Sequence, residues 1–362
     1  MTKTYRVGII GRTGKGNYGH GLDTVWADLP NVEVVAVADE DEKGRADAAQ
    51  RTTAKQAYAH YREMLDKEKP DIVAVASRWL DAHRDMVVAA AERGCHIFME
   101  KPMCRTLAEA DEMVTACERH HVKFAIAHQS RYSPRIRQAQ KVITEGRLGD
   151  VLELRGRGKE DARAGGEDMM VLGTHIMDLI RLFSGDPKWC FARVLQNDRP
   201  VTKDDVRPGN EGIGHLAGDA ITATYGMSGS TTAYFATVKP KQGPGGRFGL
   251  QIFGTQGIID LTTGGLPPVM LLEDPTWAAG RSKKEWVPIT SAGIGKPEPL
   301  KDGGLGMGNV LIAQDLIQAI EQDRQPRPRV QPEVVAALRT DLEILVERLF
   351  PDDLAAAFAL EP

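Results

Sequence analysis

Short, nearly continuous apolar runs alternate with helical patterns over the first third of the chain. The runs at residues 6–10, 32–38, 72–76, 96–99 and 123–127 are rich in Val, Ile and Ala, as strands buried on both faces of a parallel sheet are. Between them, apolar residues recur at helical spacing over 19–29, 44–53, 61–67, 83–93 and 107–120. This alternation predicts an α/β fold with a doubly wound parallel sheet.

After Ser133-Pro134 the pattern changes. A helix is expected over 134–145, ending at Gly146, and then strands at 151–156, 190–194, 220–225, 231–237, 249–253 and 258–261. Many of these alternate apolar with polar residues, which suits an antiparallel sheet with one solvated face. One strong helix, 169–183, interrupts them, and helices at 309–322 and 332–349 close the pattern. Two domains are therefore expected: residues 1–127, and residues 128–362 with an α/β architecture and an open, mostly antiparallel sheet. The last helices are free to pack back on the first domain.

A length of 362 residues suits two cores rather than one. The formal charge of −4 and the lack of a Lys/Arg block argue against a nucleic-acid partner. No apolar stretch reaches the roughly 20 residues of a membrane helix. A strand begins at Tyr5, leaving no room for a signal segment, so cytoplasmic residence is expected. Cys95, Cys104, Cys117 and Cys190 form neither a Cys-x-x-Cys pair nor a metal-ligand spacing, and no bound metal is expected.

The chemistry begins directly after the first strand, at Gly11-Arg12-Thr13-Gly14-Lys15-Gly16. A glycine-rich turn there lets backbone N–H groups and a helix N-terminus approach a pyrophosphate. Gly11 and Gly16 take the outer glycine positions of a dinucleotide fingerprint, with Thr13 in place of the middle one. Asp39 ends the second strand roughly 20 residues on, where an acidic residue grips the ribose hydroxyls. Glu40 and Asp41 follow. Three carboxylates would repel a 2′-phosphate, favouring NAD over NADP, while Lys43 and Arg45 leave the second cofactor open.

The fourth strand runs into Met99-Glu100-Lys101-Pro102, followed by Leu107-Ala108-Glu109-Ala110. With the glycine turn, this segment resembles the glucose–fructose oxidoreductase/inositol dehydrogenase/rhizopine-catabolism (Gfo/Idh/MocA) family. The resemblance runs from Tyr5 to about Gly185 and, more faintly, through 249–261 and 308–320. It implies an N-terminal Rossmann domain and a C-terminal α/β domain whose open sheet often makes a homo-oligomer contact. It also implies hydride transfer between a nicotinamide and a secondary alcohol of a sugar, cyclitol or related polyol. Lys101 matches the family's catalytic lysine, and the Lys101–Pro102 bond is a candidate cis peptide.

Leu172-Gly173-Thr174-His175-Ile176-Met177-Asp178 resembles the family's Gly-x-His-x-x-Asp segment. His175 matches its acid/base histidine. Many relatives carry an aspartate one turn earlier, where this chain has Val171. Asp178 a turn later and Asp168 a turn earlier are the substitutes, on one stripe with His175 if the helix runs unbroken.

Further residues fall where the resemblance places cofactor or substrate. Glu100 precedes the lysine. Ser77 and Trp79 follow the third strand, with Arg78 where relatives commonly have Pro. His128, Gln129 and Arg131 follow the fifth strand. A domain-tying role for Arg131 and a packing role for Trp79 are the alternatives. Arg155, Arg157, Lys159 and Arg163 form a basic cluster that would select an anionic sugar or else be a solvated sheet face. His20, His60, His83, His120, His121 and His215 show no triad or metal context and read as surface or capping residues.

Two other functions stay open. In one, NAD is retained and transient oxidation assists elimination, hydrolysis or epimerisation. In the other, the chain is a non-catalytic NAD-sensing regulator.

Overall fold

The computed structural model describes residues 3–27, 29–240 and 246–327. The expected helix 332–349 lies outside them. The chain divides into two compact units.

The first unit comprises the described residues up to Tyr132, the segment Asn210–Gly214 and residues 303–327. Its sheet holds six parallel strands: β1 (Tyr5–Ile10), β2 (Val32–Ala38), β3 (Gln56–Tyr58), β4 (Ile72–Val75), β5 (His96–Met99) and β6 (Phe124–Ile126). Their order, β3-β2-β1-β4-β5-β6, is that of a doubly wound sheet. Val7, Ile9, Ile72, Val73, Ile97 and Phe98 have no exposed surface, which is why these strands read as unbroken apolar runs. Helices α1 (Glu42–Thr52), α2 (Tyr61–Glu68), α3 (His83–Ala91) and α4 (Leu107–Arg119) connect the strands. The helix Gly304–Glu321 belongs to the same unit.

The expected helix over 19–29 is absent. Residues 13–27 form successive turns, tied by bonds such as Thr24 N to Gly21 O (3.1 Å) and Ala27 N to Thr24 O (3.3 Å). Gly16, Asn17, Gly19 and Gly21 all have positive φ, between 53° and 83°, and a right-handed helix cannot propagate through such residues. The apolar spacing still governs burial, because Leu22, Val25, Trp26 and Leu29 enter the core.

The second unit holds a ten-stranded sheet. Its strands of four residues or more are β7 (Val151–Arg157), β8 (Trp189–Gln196), β9 (Ala220–Gly226), β10 (Thr232–Val238), β11 (Gly249–Gly254), β12 (Gly257–Thr262), β13 (Val269–Leu272) and β14 (Val287–Thr290). The central order is β14-β13-β12-β11-β7-β10-β9-β8, with a two-residue strand at each edge. Among the described residues of this sheet, only β7 and β10 pair in parallel.

Helix α5 (Pro134–Thr144) starts on its proline, where a missing N–H costs nothing. The expected helix 169–183 is two helices, α6 (Gly166–Val171) and α7 (Gly173–Ser184), broken at Leu172. Helix α7 lays Ile176, Leu179 and Ile180 into the core with Leu154, Phe235, Leu250 and Ile252, each fully buried aliphatic side chain contributing about 1.5–3 kcal/mol.

Candidate active site

The first cluster lies at the carboxyl ends of the parallel strands, where ligands of doubly wound sheets collect. After β1 the glycine turn closes as a small hairpin, with Arg12 N donating to Asn17 O (3.1 Å) and Asn17 N to Arg12 O (3.0 Å). Gly14 N donates to Asn17 Oδ1 at 2.9 Å, so several of the turn's donors are spent within it. Gly16 must be glycine, since a Cβ would lie 2.6 Å from the Arg78 backbone nitrogen.

Asp39 stands at the end of β2, 3% exposed. Its carboxylate accepts from Thr13 N (3.0 Å), Thr13 Oγ1 (2.8 Å) and Asp41 N (3.0 Å). Thr13 N also reaches the other carboxylate oxygen at 3.2 Å, so a ribose hydroxyl would share the carboxylate with these donors. Thr13 is thus a partner of the acidic residue rather than a defect in the motif. Asp41 caps α1 through Gly44 N at 2.7 Å. Arg12 is turned onto Asp81, at 2.6 Å.

Glu100 and Lys101 follow β5. Lys101 is 4% exposed, and its bond to Pro102 is cis. Glu100 has no exposed surface. Its Oε1 accepts from His20 N at 2.9 Å and meets His20 Nδ1 at 2.7 Å, while Oε2 accepts from Lys101 N at 3.0 Å. Burial alone would raise the Glu100 carboxyl, but the His20 hydrogen bond and the His20 and Lys101 charges outweigh it and hold it below its ordinary value. Asn309 Nδ2 donates to His20 O at 3.0 Å.

After β4, Ser77 Oγ donates to Lys15 O (2.9 Å) and accepts from Trp79 N (3.2 Å), with Trp79 half-buried. After β6, His128 leads into the turn Gln129–Tyr132, which carries Arg131. Gln129 is 1% exposed, yet neither its Nε2 nor its Oε1 has a hydrogen-bond partner among the described residues. A buried amide left open at the carboxyl edge requires a ligand or water. With the glycine turn and Asp39, it fits a nicotinamide dinucleotide. Gly308 packs so closely that a Cβ there would lie 2.5 Å from that of Gln129.

Three residues of this unit escaped the sequence reading. His20 and His83 are not surface groups: His20 is tied to buried Glu100, and His83 is fully buried. Asn309 gave no signal at all. Their partners are distant in sequence or are backbone carbonyls, which no spacing rule detects.

In the second unit, His175 lies on α7, 8% exposed and edge-to-face with Phe248 at 6.1 Å. Asp178 is 4% exposed on the same helix. Val171 is buried apolar surface.

Asp168 is not the substitute acid that an unbroken helix would make it. Its carboxylate accepts from Lys159 N (3.2 Å), Glu160 N (3.0 Å) and Thr237 Oγ1 (2.5 Å) and pins the loop after β7.

Arg155 also departs from expectation. Gly156 faces α7, where a Cβ would lie 2.4 Å from Ile176 Cγ2, so Arg155 points to the opposite face of the sheet. There it pairs with Glu153 (2.7 Å) and covers the Phe253 ring (4.3 Å). The rest of the basic cluster is paired too: Arg157 with Glu160, and Lys159 and Arg163 with Asp161. It is an ion-paired surface rather than an anion pocket beside His175.

Among the described residues no cluster could hold a metal ion, and no helix is long and apolar enough to cross a membrane.

This sheet order and edge chemistry define a Rossmann-fold nucleotide-binding protein, and comparison with known proteins gives its family. Residues 5–128 match the Gfo/Idh/MocA oxidoreductase family's NAD-binding Rossmann fold, and residues 136–260 match its C-terminal domain. The chain belongs to this family of NAD-binding oxidoreductases. It is 29% identical over 191 residues to D-apiose dehydrogenase of Paraburkholderia graminis, covering 50% of this chain and 51% of that one. It is 26% identical over 256 residues to levoglucosan dehydrogenase of Pseudarthrobacter phenanthrenivorans, covering 64% and 65%. The matches thus span between about half and two thirds of these relatives. A solved levoglucosan dehydrogenase in complex with NADH and levoglucosan shares the fold, with a TM-score of 0.72 at 20% identity over 94% of this chain and 97% of that one.

Proposed function

We propose that this chain transfers a hydride reversibly between NAD and a secondary alcohol of a sugar, cyclitol or related polyol. The observation that carries the reading is Lys101, a cation only 4% exposed just beyond β5 at the ligand-collecting edge of the sheet. An ammonium in such a site stabilises developing alkoxide charge far more than it would in water. His175 accepts the hydroxyl proton, and Asp178 orients the imidazole or shares that proton. The bound nicotinamide supplies the hydride acceptor. The names of the two relatives, an apiose and a levoglucosan dehydrogenase, support the substrate class.

The test is to incubate the purified chain with NAD or NADP and a panel of sugars, cyclitols and uronates, following nicotinamide reduction. At least one substrate should reduce NAD. NADP should give a kcat/KM lower by roughly tenfold or more, because buried Asp39 and exposed Glu40 disfavour a 2′-phosphate. No reduction of either cofactor by any member of the panel would refute the reading.

Val171 favours a second reading, in which NAD stays bound and is recycled. Where an acid would serve the histidine, this chain buries an apolar side chain at 2% exposure. Turnover of a sugar without net NADH would select that alternative.

A homo-oligomer formed through the open face of the second sheet is part of the proposal. Trp189, Phe191 and Tyr234 are 50%, 66% and 38% exposed on that face, an apolar display that usually marks an interface. Phe191→Asp should convert the assembly to monomers in sedimentation velocity, and a wild-type monomer at micromolar concentration would exclude the contact. Cytoplasmic residence, to which cysteines kept as thiols are suited, is also part of the proposal.

A further inference from the structure

His83 begins α3 with no exposed surface. Its Nε2 lies 2.7 Å from the Ser77 carbonyl oxygen, and its Nδ1 lies 3.1 Å from the carbonyl oxygens of both Pro102 and Met103. All three partners are acceptors. A neutral imidazole has one N–H and one lone pair. Either neutral tautomer would therefore face a carbonyl lone pair with a nitrogen lone pair, in a place closed to water. Only a ring protonated on both nitrogens satisfies both sides.

The segments it joins are those that carry the proposed chemistry. Ser77 follows β4 and holds Lys15 of the glycine turn and Trp79 through its hydroxyl. Pro102 and Met103 follow Lys101. Strands β4 and β5 pair as far as Val75 and Met99, and one more bond, Glu100 N to Val75 O at 2.9 Å, continues the ladder. Beyond it the His83 ring spans the two chains.

We propose that His83 is a positioning residue: held as an imidazolium, it donates to Ser77 on one side and to Pro102 and Met103 on the other, fixing Lys101 relative to the cofactor edge of β4. The proposal rests on the reading of Lys101 as the reacting-edge cation. It adds a residue whose charge is met by three backbone carbonyls rather than by a carboxylate.

The first measurement is the nitrogen-15 spectrum of histidine-labelled full chain at about pH 7.5, where exposed histidines are mostly neutral. His83 is assigned by its loss in His83→Gln. Two closely spaced ring-nitrogen resonances are expected. The widely separated pair of a neutral ring would overturn the proposal.

The second is a fluorescence titration with NADH. His83→Leu should weaken binding about tenfold or more, and His83→Gln, which keeps one donor group, should fall between it and wild type. Unchanged affinity in a folded His83→Leu would overturn the positioning role. Should that variant not fold, the spectrum and the Gln variant decide. A wild-type chain that binds no NADH would defeat the proposed function, while the spectrum would still report the ring's state.

Discussion

Lys101→Ala should lower kcat for the proposed sugar oxidation by roughly 10²–10⁴, the range of general acid–base and electrostatic groups. The expectation follows from where the ammonium sits. At 4% exposure it is largely withdrawn from water, so its field on a nearby oxygen is weakly screened. Fold should survive the change. Glu100 does not depend on the Lys101 side chain for its hydrogen bonds: it accepts from the Lys101 backbone nitrogen (3.0 Å) and from His20 (2.9 and 2.7 Å). NADH affinity should therefore change much less than kcat, and the far-ultraviolet circular dichroism should be unaltered. A variant with kcat within threefold of wild type would remove Lys101 from the chemistry.

The parallel sheet was legible because both its faces are covered, so its strands announce themselves as unbroken apolar runs. Strand β3 was not. Gln56–Tyr58 is an edge strand of exposed and half-buried residues, with too little burial to leave a pattern. The turns at 13–27 misled for the opposite reason. Their apolar residues recur at helical spacing because that surface packs on the sheet, while the glycines that forbid a helix looked like ordinary motif glycines.

Within the candidate site, Asp39 was readable from its place after β2, while Glu100, Lys101 and Gln129 were read through the family resemblance. Asp168 and Arg155 needed geometry. The first was placed by assuming a continuous helix that breaks at Leu172, and the second depends on which sheet face meets α7, a choice that Gly156 makes by admitting Ile176. His20 and Glu100 lie 80 residues apart. Only the fold brings them together.

That pairing carries the largest stability effect expected outside the cores. Glu100→Ala should destabilise the chain by about 1–3 kcal/mol at neutral pH, the usual cost of leaving buried donors without their acceptor. Three donors lose their acceptor at once: His20 N, His20 Nδ1 and Lys101 N. Glu100→Gln should cost less, because an amide oxygen still accepts from His20 while its nitrogen meets the Lys101 N–H donor to donor.

The pH dependence separates charge from packing. The Glu100 carboxyl is held below its ordinary value of 4.5. Its contribution is therefore fully present above that value and is lost as pH falls through the lower, folded-state value. Wild type should lose this part of its stability on the acid limb below about pH 4.5, and Glu100→Gln, which cannot titrate there, should lack it. Urea unfolding at neutral pH and on the acid limb measures both effects. Equal neutral-pH stability of Glu100→Ala and wild type, or parallel acid limbs for Glu100→Gln and wild type, would show that the buried carboxylate does not hold the glycine turn to the lysine strand.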